Sequence, residues 1–295
     1  MSKPITRAQY IQKGRSYRRF NAFVFGLQRL GSRHKSTRQE RFIDTPFGRV
    51  RTLWYGFEDP QPAPVYFDLH GGGFVLGSAG MDETMNTYVH QQVGCKVISI
   101  DYAKAPDFPY PAAVDQVYAV AGHVVANAEK YAIDPARIAI GGHSAGGNLA
   151  AVTCLKAKTD GQFQFACQVM DYPVLDLAAD PWQKPYPKGA IPPGMAAMFN
   201  ACYIDPARAK ESYASPVYAA PADLTGLPPA LFILAGGDSL HDEGLQYCRM
   251  LQAAGVSTEC HEYPNAGHGF TYAPSADTTA ALAQMAAFLK IYLTS

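Results

Sequence analysis

The sequence predicts an α/β fold, a mostly parallel sheet with helices on both faces. Two observations carry that expectation. Strand-like and helix-like stretches alternate through the middle and end of the chain. Several strand candidates are also near-continuous apolar runs, such as Leu231-Phe232-Ile233-Leu234-Ala235, which suit strands buried on both faces. At 295 residues, 48% of them hydrophobic, the chain can bury a sizeable core.

The elements follow in order. Residues 1–41 hold eleven Lys or Arg and one acid, Glu40. Such a start can be a nucleic-acid arm, an anionic membrane contact or a transit peptide. Phe20, Phe23, Val24, Leu27 and Leu30 fall at helical spacing, however, which favours a helix docked on the core with a solvated basic face. It lacks aromatic stacking platforms on a recognised nucleic-acid module, so no nucleic-acid partner is expected. Strand candidates are residues 65–69, 96–101, 137–141, 164–170, 230–235 and 257–263, short segments bounded by Gly, Pro or Asp. Val114, Val117, Ala121 and Val124 form one helical stripe; Leu282, Met285, Leu289 and Tyr292 form another. Residues 180–194 carry five prolines and interrupt the alternation, and 195–204 can be helical. An insertion there reads as a cap over a site. The expected organisation is an N-terminal cap segment 1–45, a catalytic domain in two parts, 46–179 and 215–295, and a cap insertion 180–214.

No apolar run reaches membrane-spanning length, and the N-terminus lacks a secretory layout, so a cytoplasmic protein without stable membrane insertion is expected. The six cysteines are scattered without a CxxC pair, which reads as free thiols in a reducing compartment. No clustered metal ligands are apparent, so no metal is expected.

Two glycine-rich stretches carry the chemistry. Gly142-His143-Ser144-Ala145-Gly146 follows a strand and opens a helix, the setting in which G-x-S-x-G lifts a serine out of a sheet edge. The helix start adds unpaired N–H groups and the positive end of its dipole. Upstream, Gly71-Gly72-Gly73 ends an apolar strand. Acyl transfer at serine puts negative charge on a carbonyl oxygen, and one backbone donor aimed at it is worth about a hundredfold or more in rate. Gly72 and Gly73, with Ala145 from the elbow, are the candidate donors. A serine nucleophile also needs a base and an orienting acid. Of His241, His261 and His268, the last sits in a glycine-flanked loop after the final strand and is favoured. Asp238, just past a buried strand, is favoured over Asp171, read as a turn residue, and over Asp242 and Glu243, read as first-turn helix acids.

These residues carry a family resemblance. His70-Gly71-Gly72-Gly73-Phe74, the elbow, Asp238 and the run from Asn265 to Phe270 resemble the hormone-sensitive lipase-like α/β hydrolases, as do residues 101–116 and 215–244. The likeness covers residues 46–295. It implies an eight-stranded α/β-hydrolase sheet with a small helical cap, and hydrolysis of a small-molecule carboxylic ester without a cofactor. Motif matching makes Ser144 the nucleophile, His268 the base and Asp238 the acid. Family members often dimerise through a sheet edge, which brings a homodimer into consideration. The sequence departs from the family pattern at His143, Ser239, Ala103 and Lys104; packing is the favoured role for His143, which must fit beneath the sheet edge. Phe74, Tyr172, Met195, Met198 and Phe199 are the pocket candidates, from proximity to the motifs and the insertion. The small insertion points to short acyl chains. An aryl-formamidase or other small-amide hydrolase could use the same triad, and a ligand-binding receptor could use the same fold.

Overall fold

The apolar runs of the sequence divide between two cores with a period of two. Val65, Phe67 and Leu69 face one cluster and Tyr66 the other; Ile138 and Ile140 likewise oppose Ala139, and Phe232 and Leu234 oppose Leu231, Ile233 and Ala235. Such strands require cover on both faces. The computed structural model describes residues 5–31 and 38–294. It contains one eight-stranded sheet in the order β1-β2-β4-β3-β5-β6-β7-β8. The strands are β1 (Gln39–Thr45), β2 (Gly48–Tyr55), β3 (Ala63–Leu69), β4 (Lys96–Asp101), β5 (Ile133–His143), β6 (Cys167–Asp171), β7 (Ala230–Gly237) and β8 (Thr258–Gly267). β2 pairs antiparallel with both β1 and β4, and every other pairing is parallel.

The helices are α1 (Arg7–Gly31), α2 (Glu83–Val93), α3 (Ala112–Ala126), α4 (Ala128–Tyr131), α5 (Ala145–Asp160), α6 (Pro193–Tyr203), α7 (Pro221–Leu224), α8 (His241–Ala253) and α9 (Ala276–Leu293). The stripe Val114, Val117, Ala121 and Val124 of α3 is buried with Leu149 of α5 and Leu251 of α8 on one face of the sheet. Val89 and Val93 of α2 join Met285 and Leu289 of α9 on the other. Among the described residues no helix is long and apolar enough to cross a membrane.

The strand order creates the site. The chain leaves β3 toward β4 on one side and leaves β5 toward β6 on the other. Loops at the carboxyl ends of these two neighbours therefore diverge, and a crevice opens where α/β sheets bind ligands. The glycine loop follows β3, and the elbow follows β5. Leu69 pairs with Gly142 in register, which sets the two loops side by side.

β1 and β2 were not among the strand candidates. β1 is the edge strand, buries only Ile43 and lacks the apolar run that marks the central strands, while β2, between β1 and β4, has an apolar run only at one end, Leu53-Trp54-Tyr55, after Arg49 and Arg51. Residues 39–45, at the end of the N-terminal segment, are thus part of the main sheet.

α1 is a helix as the sequence predicts, and of the five residues of the expected stripe only the side chain of Phe20 lies among the described residues. Phe20 is 69% exposed, and the side chains of Phe23, Val24, Leu27 and Leu30 lie outside the described residues. Contact is made earlier, where Tyr10 and Ile11 pack on the core and Gly14 lies against Cys202 of α6. The Arg7 guanidinium donates to the carbonyls of Ala201 (3.3 Å) and Ile204 (3.1 Å), meeting the negative end of α6. Arg18 donates to Asp107 at 2.7 Å.

Two glycines make this packing testable. A Cβ on Gly14 would overlap the Cys202 sulfur. Gly14→Val should cost about 1–3 kcal/mol, read as a lower unfolding midpoint and faster proteolysis of the first thirty or so residues, and Cys202→Ala in the same chain should recover part of the loss. A Cβ on Gly146 would overlap the backbone oxygen of Leu69, which cannot swing aside. Gly146→Ala should destabilise by about 3 kcal/mol in denaturant titration; a neutral result would show that α5 does not press on β3.

Candidate active site

Ser144 sits between β5 and α5 with φ 54° and ψ −112°, a conformation few non-glycine residues adopt. Its surroundings hold it there. The Ser144 N–H donates to Asp171 O at 2.8 Å, and Ser144 O accepts from Asn148 N and Val174 N, each at 3.2 Å. The serine stands at the amino end of α5, where the helix dipole is positive.

The structure brings Ser144, His268 and Asp238 into one line. His268 Nε2 lies 3.0 Å from Ser144 Oγ, and His268 Nδ1 lies 2.6 Å from Asp238 Oδ2. Asp238 is buried just past β7, and its other oxygen, Oδ1, has no partner among the described residues. His268 follows β8. Its backbone N–H donates to Gly189 O (3.0 Å), and its ring meets Tyr172 edge-on at 5.0 Å.

The competing residues are placed elsewhere. His241 pairs with Glu262 at 2.8 Å, and His261 faces Glu259 on the outer strand. Glu243 is buried, accepts from the N–H of Leu175 at 2.7 Å and pairs with Lys184. Asp171 accepts from His143 and Thr271.

The glycine loop turns back on itself. Gly72 and Gly73 have φ of 119° and 59°, and Val75 and Leu76 donate to Gly72 O at 3.1 and 2.9 Å. A Cβ on Gly72 would overlap Leu76 O, and one on Gly73 would overlap the Phe199 ring. The N–H groups of both glycines have no acceptor among the described residues. Beneath the loop, buried His70 stacks on Tyr102 at 4.2 Å, and its Nδ1 lies 2.7 Å from Gly71 O. Burial lowers the His70 pKa from its ordinary value.

Two cavities flank Ser144. One, of about 30 Å³, is lined by Gly73, Phe74, Val174, Ile191, Phe199 and Leu240. The other, of about 220 Å³, is lined by Gly71, Tyr172, Met195, Phe199, His268 and Tyr272. Phe74, Tyr172, Met195 and Phe199 therefore border the site. Met198 lines neither cavity and is buried toward α1, near Gly14. Met195 and Met198 are neighbours on one side of α6, but Met198 lies one turn further from the cavity, beneath α1. Lys184, Ile191, Ser239 and Tyr272 line the cavities and were not among the pocket candidates. Of these, only Ser239 was marked in the sequence, as a departure from the family pattern.

His143 is packed, as expected, but not in an apolar setting. Its Nδ1 lies 2.8 Å from Asp171 Oδ2 and its Nε2 3.8 Å from Asp68 Oδ1. Burial lowers its pKa, but the charges of Asp82, Asp171 and Asp68 outweigh that effect and raise it to about 9. Among the described residues, Asp68, Asp82 and His143 are the side chains close enough to share a metal ion, with ligand atoms within 4.8 Å of one another.

Comparison with known proteins agrees with this architecture. Residues 66–272 match the family described as alpha/beta hydrolase fold. The carboxylesterase NlhH of Mycobacterium tuberculosis is 36% identical over 228 residues, covering 75% of this chain and 70% of that protein. Esterase LipI of the same species is 34% identical over 243 residues, covering 77% and 73%. Among solved structures, a Pyrobaculum calidifontis esterase superposes with a TM-score of 0.82 at 32% identity, covering 98% of each chain. A thermostable Pseudomonas putida esterase superposes with a TM-score of 0.85 at 28% identity, covering 99% and 93%. The chain belongs to the alpha/beta hydrolase family, in its hormone-sensitive lipase-like group of esterases.

Proposed function

We propose that this carboxylic ester hydrolase works through Ser144, His268 and Asp238 on esters with short acyl chains. The unbroken line from Ser144 Oγ through the His268 imidazole to buried Asp238 carries the reading. Ser144 Oγ attacks the ester carbonyl carbon while His268 Nε2 takes its proton. The negative oxygen is received by the N–H groups of Gly72, Gly73 and Ala145. Collapse breaks the bond to the alcohol oxygen, which receives the proton from His268. Water then repeats the sequence on the acyl-serine: His268 takes its proton, and the second collapse returns that proton to Ser144 and frees the acid. Asp238 fixes the imidazole's tautomer and balances its positive form.

The unequal cavities support the substrate range. His268 must reach the leaving oxygen, so the alcohol belongs in the larger cavity that His268 lines. The acyl group then faces the smaller cavity of about 30 Å³, which favours a short chain. Phe199 borders both spaces.

Hydrolysis of p-nitrophenyl acetate, butyrate and palmitate by the wild type and by Ser144→Ala tests both parts. Turnover should be fastest on the shorter esters and fall at least about a thousandfold in the mutant. Faster turnover of palmitate would reject the acyl assignment, and equal rates in both proteins would reject the nucleophile. Phe199→Ala should raise the octanoate-to-acetate ratio of kcat/KM about tenfold.

A further inference from the structure

We propose that His143, Asp68, Asp82 and Asp171 form a buried hydrogen-bonded clamp that positions the loop carrying His268. His143 and Asp82 are thereby positioning residues for the hydrolytic site. The inference rests on the triad reading above and extends it to groups that touch no substrate.

The clamp gathers five parts of the chain. Asp68 comes from β3, Asp82 from the short 3-10 turn Ala79–Asp82, His143 from the end of β5 and Asp171 from the end of β6. All four are buried. The fifth part is the turn Phe270–Tyr272, directly after His268. Thr271 Oγ1 donates to Asp171 Oδ2 at 2.7 Å, and the Tyr272 hydroxyl donates to Asp82 Oδ1 at 2.6 Å. Tyr172, whose ring abuts His268, joins through its hydroxyl, 2.7 Å from Thr271 Oγ1. The residues three and four places beyond His268 are thus held from below.

Three buried carboxylates and one imidazole cannot all be ionised without strong repulsion. Asp68 is well supplied, because its Oδ2 accepts from Asn86 at 2.8 Å and from Ser99 at 2.6 Å. Asp82 is not, and its Oδ2 has no partner among the described residues. A proton on Asp82 makes it a donor toward the Asp68 carboxylate. Burial, and next the charge of Asp68, raise the Asp82 pKa to about 8. With His143 raised to about 9, the cluster holds both protons at neutral pH.

The other titratable groups facing the cluster are Tyr66, Tyr102, Tyr172, Tyr272 and Cys167. Burial raises each above its ordinary value, so they stay neutral while Asp82 and His143 titrate. Both clamp pKa values lie above their ordinary ones, so the protonated clamp favours the fold. Its contribution is full below the ordinary pKa values of the two groups, falls as pH rises above them, and is gone past about 8 for Asp82 and about 9 for His143. Above that, three carboxylates face a neutral imidazole and the turn behind His268 loses its hold.

The test is kcat and KM for p-nitrophenyl butyrate between about pH 6 and pH 10, with thermal unfolding at each pH, for the wild type, Asp82→Asn, His143→Gln and Ser144→Ala. The wild type should lose kcat along an alkaline limb between pH 8 and 9. Asparagine keeps the neutral form but removes the Asp82 charge that helps hold the His143 proton, so Asp82→Asn should replace the two-step limb by a single one-proton limb, that of His143 alone, lying below pH 9. His143→Gln should lower kcat about a hundredfold with KM unchanged. Loss of turnover in Ser144→Ala shows that the rate reports on the triad. An unchanged pH profile in the folded Asp82→Asn and His143→Gln proteins then counts against the clamp alone. One equivalent of tightly held divalent metal in the purified protein would also overturn it, because a metal would displace the imidazolium proton. Should His143→Gln fail to fold, the limb in Asp82→Asn still decides.

Discussion

The bare approach of three backbones at the carboxyl end of β3 and β5 governs everything around it. Leu69, Gly142 and Gly146 leave no space for a single Cβ between them. That closeness forces the chain to reverse within one residue, which is why Ser144 takes a positive φ. Backbone strain of this kind costs about 1–3 kcal/mol and survives only where the surroundings over-determine it. Here they do so with hydrogen bonds to Ser144 from β6, from α5 and from the segment after β6. The same approach brings the α5 amino end to the glycine loop, so one packing constraint supplies both a lifted hydroxyl and a ring of backbone donors.

Polar groups beneath that surface lie on the two sides of the crevice. Under the glycine loop, His70 stacks on Tyr102 and braces Gly71. Under the serine and the His268 loop, His143 and three carboxylates do the bracing. Loops are ordinarily the soft parts of a fold. These are anchored by buried side chains with short hydrogen bonds, so they take on the rigidity of the sheet.

What was legible in the sequence follows the range of the interactions. The central strands stood out because burial on both faces leaves an apolar run. The Gly142–Gly146 turn stood out because its chemistry lies within five adjacent residues flanked by a strand and a helix. β1 did not stand out, since an edge position needs few apolar residues, and β2 did not because two arginines break up its first half. The cavity walls were half legible: Phe74, Tyr172, Met195 and Phe199 border the site, whereas Met198 does not, because it is covered by α1, a packing that only the folded chain reveals. Ile191 and Lys184 come from a proline-rich loop with no periodicity to read. The setting of His143 depends on residues 68, 82, 171 and 272, which only the folded chain brings together.

The loop that joins β6 to α6 touches both ends of the crevice. Its Gly189 carbonyl receives the His268 N–H, while its Lys184 is tied to Glu243 at the start of α8. Ile191 from the same loop walls both cavities. The gate and the hinge of the machine are therefore one part. A guest too large for the crevice must push this loop outward, and in doing so it pulls on the backbone that seats the imidazole. Oversized molecules are then turned away twice, by lack of room and by the misalignment their own accommodation would cause.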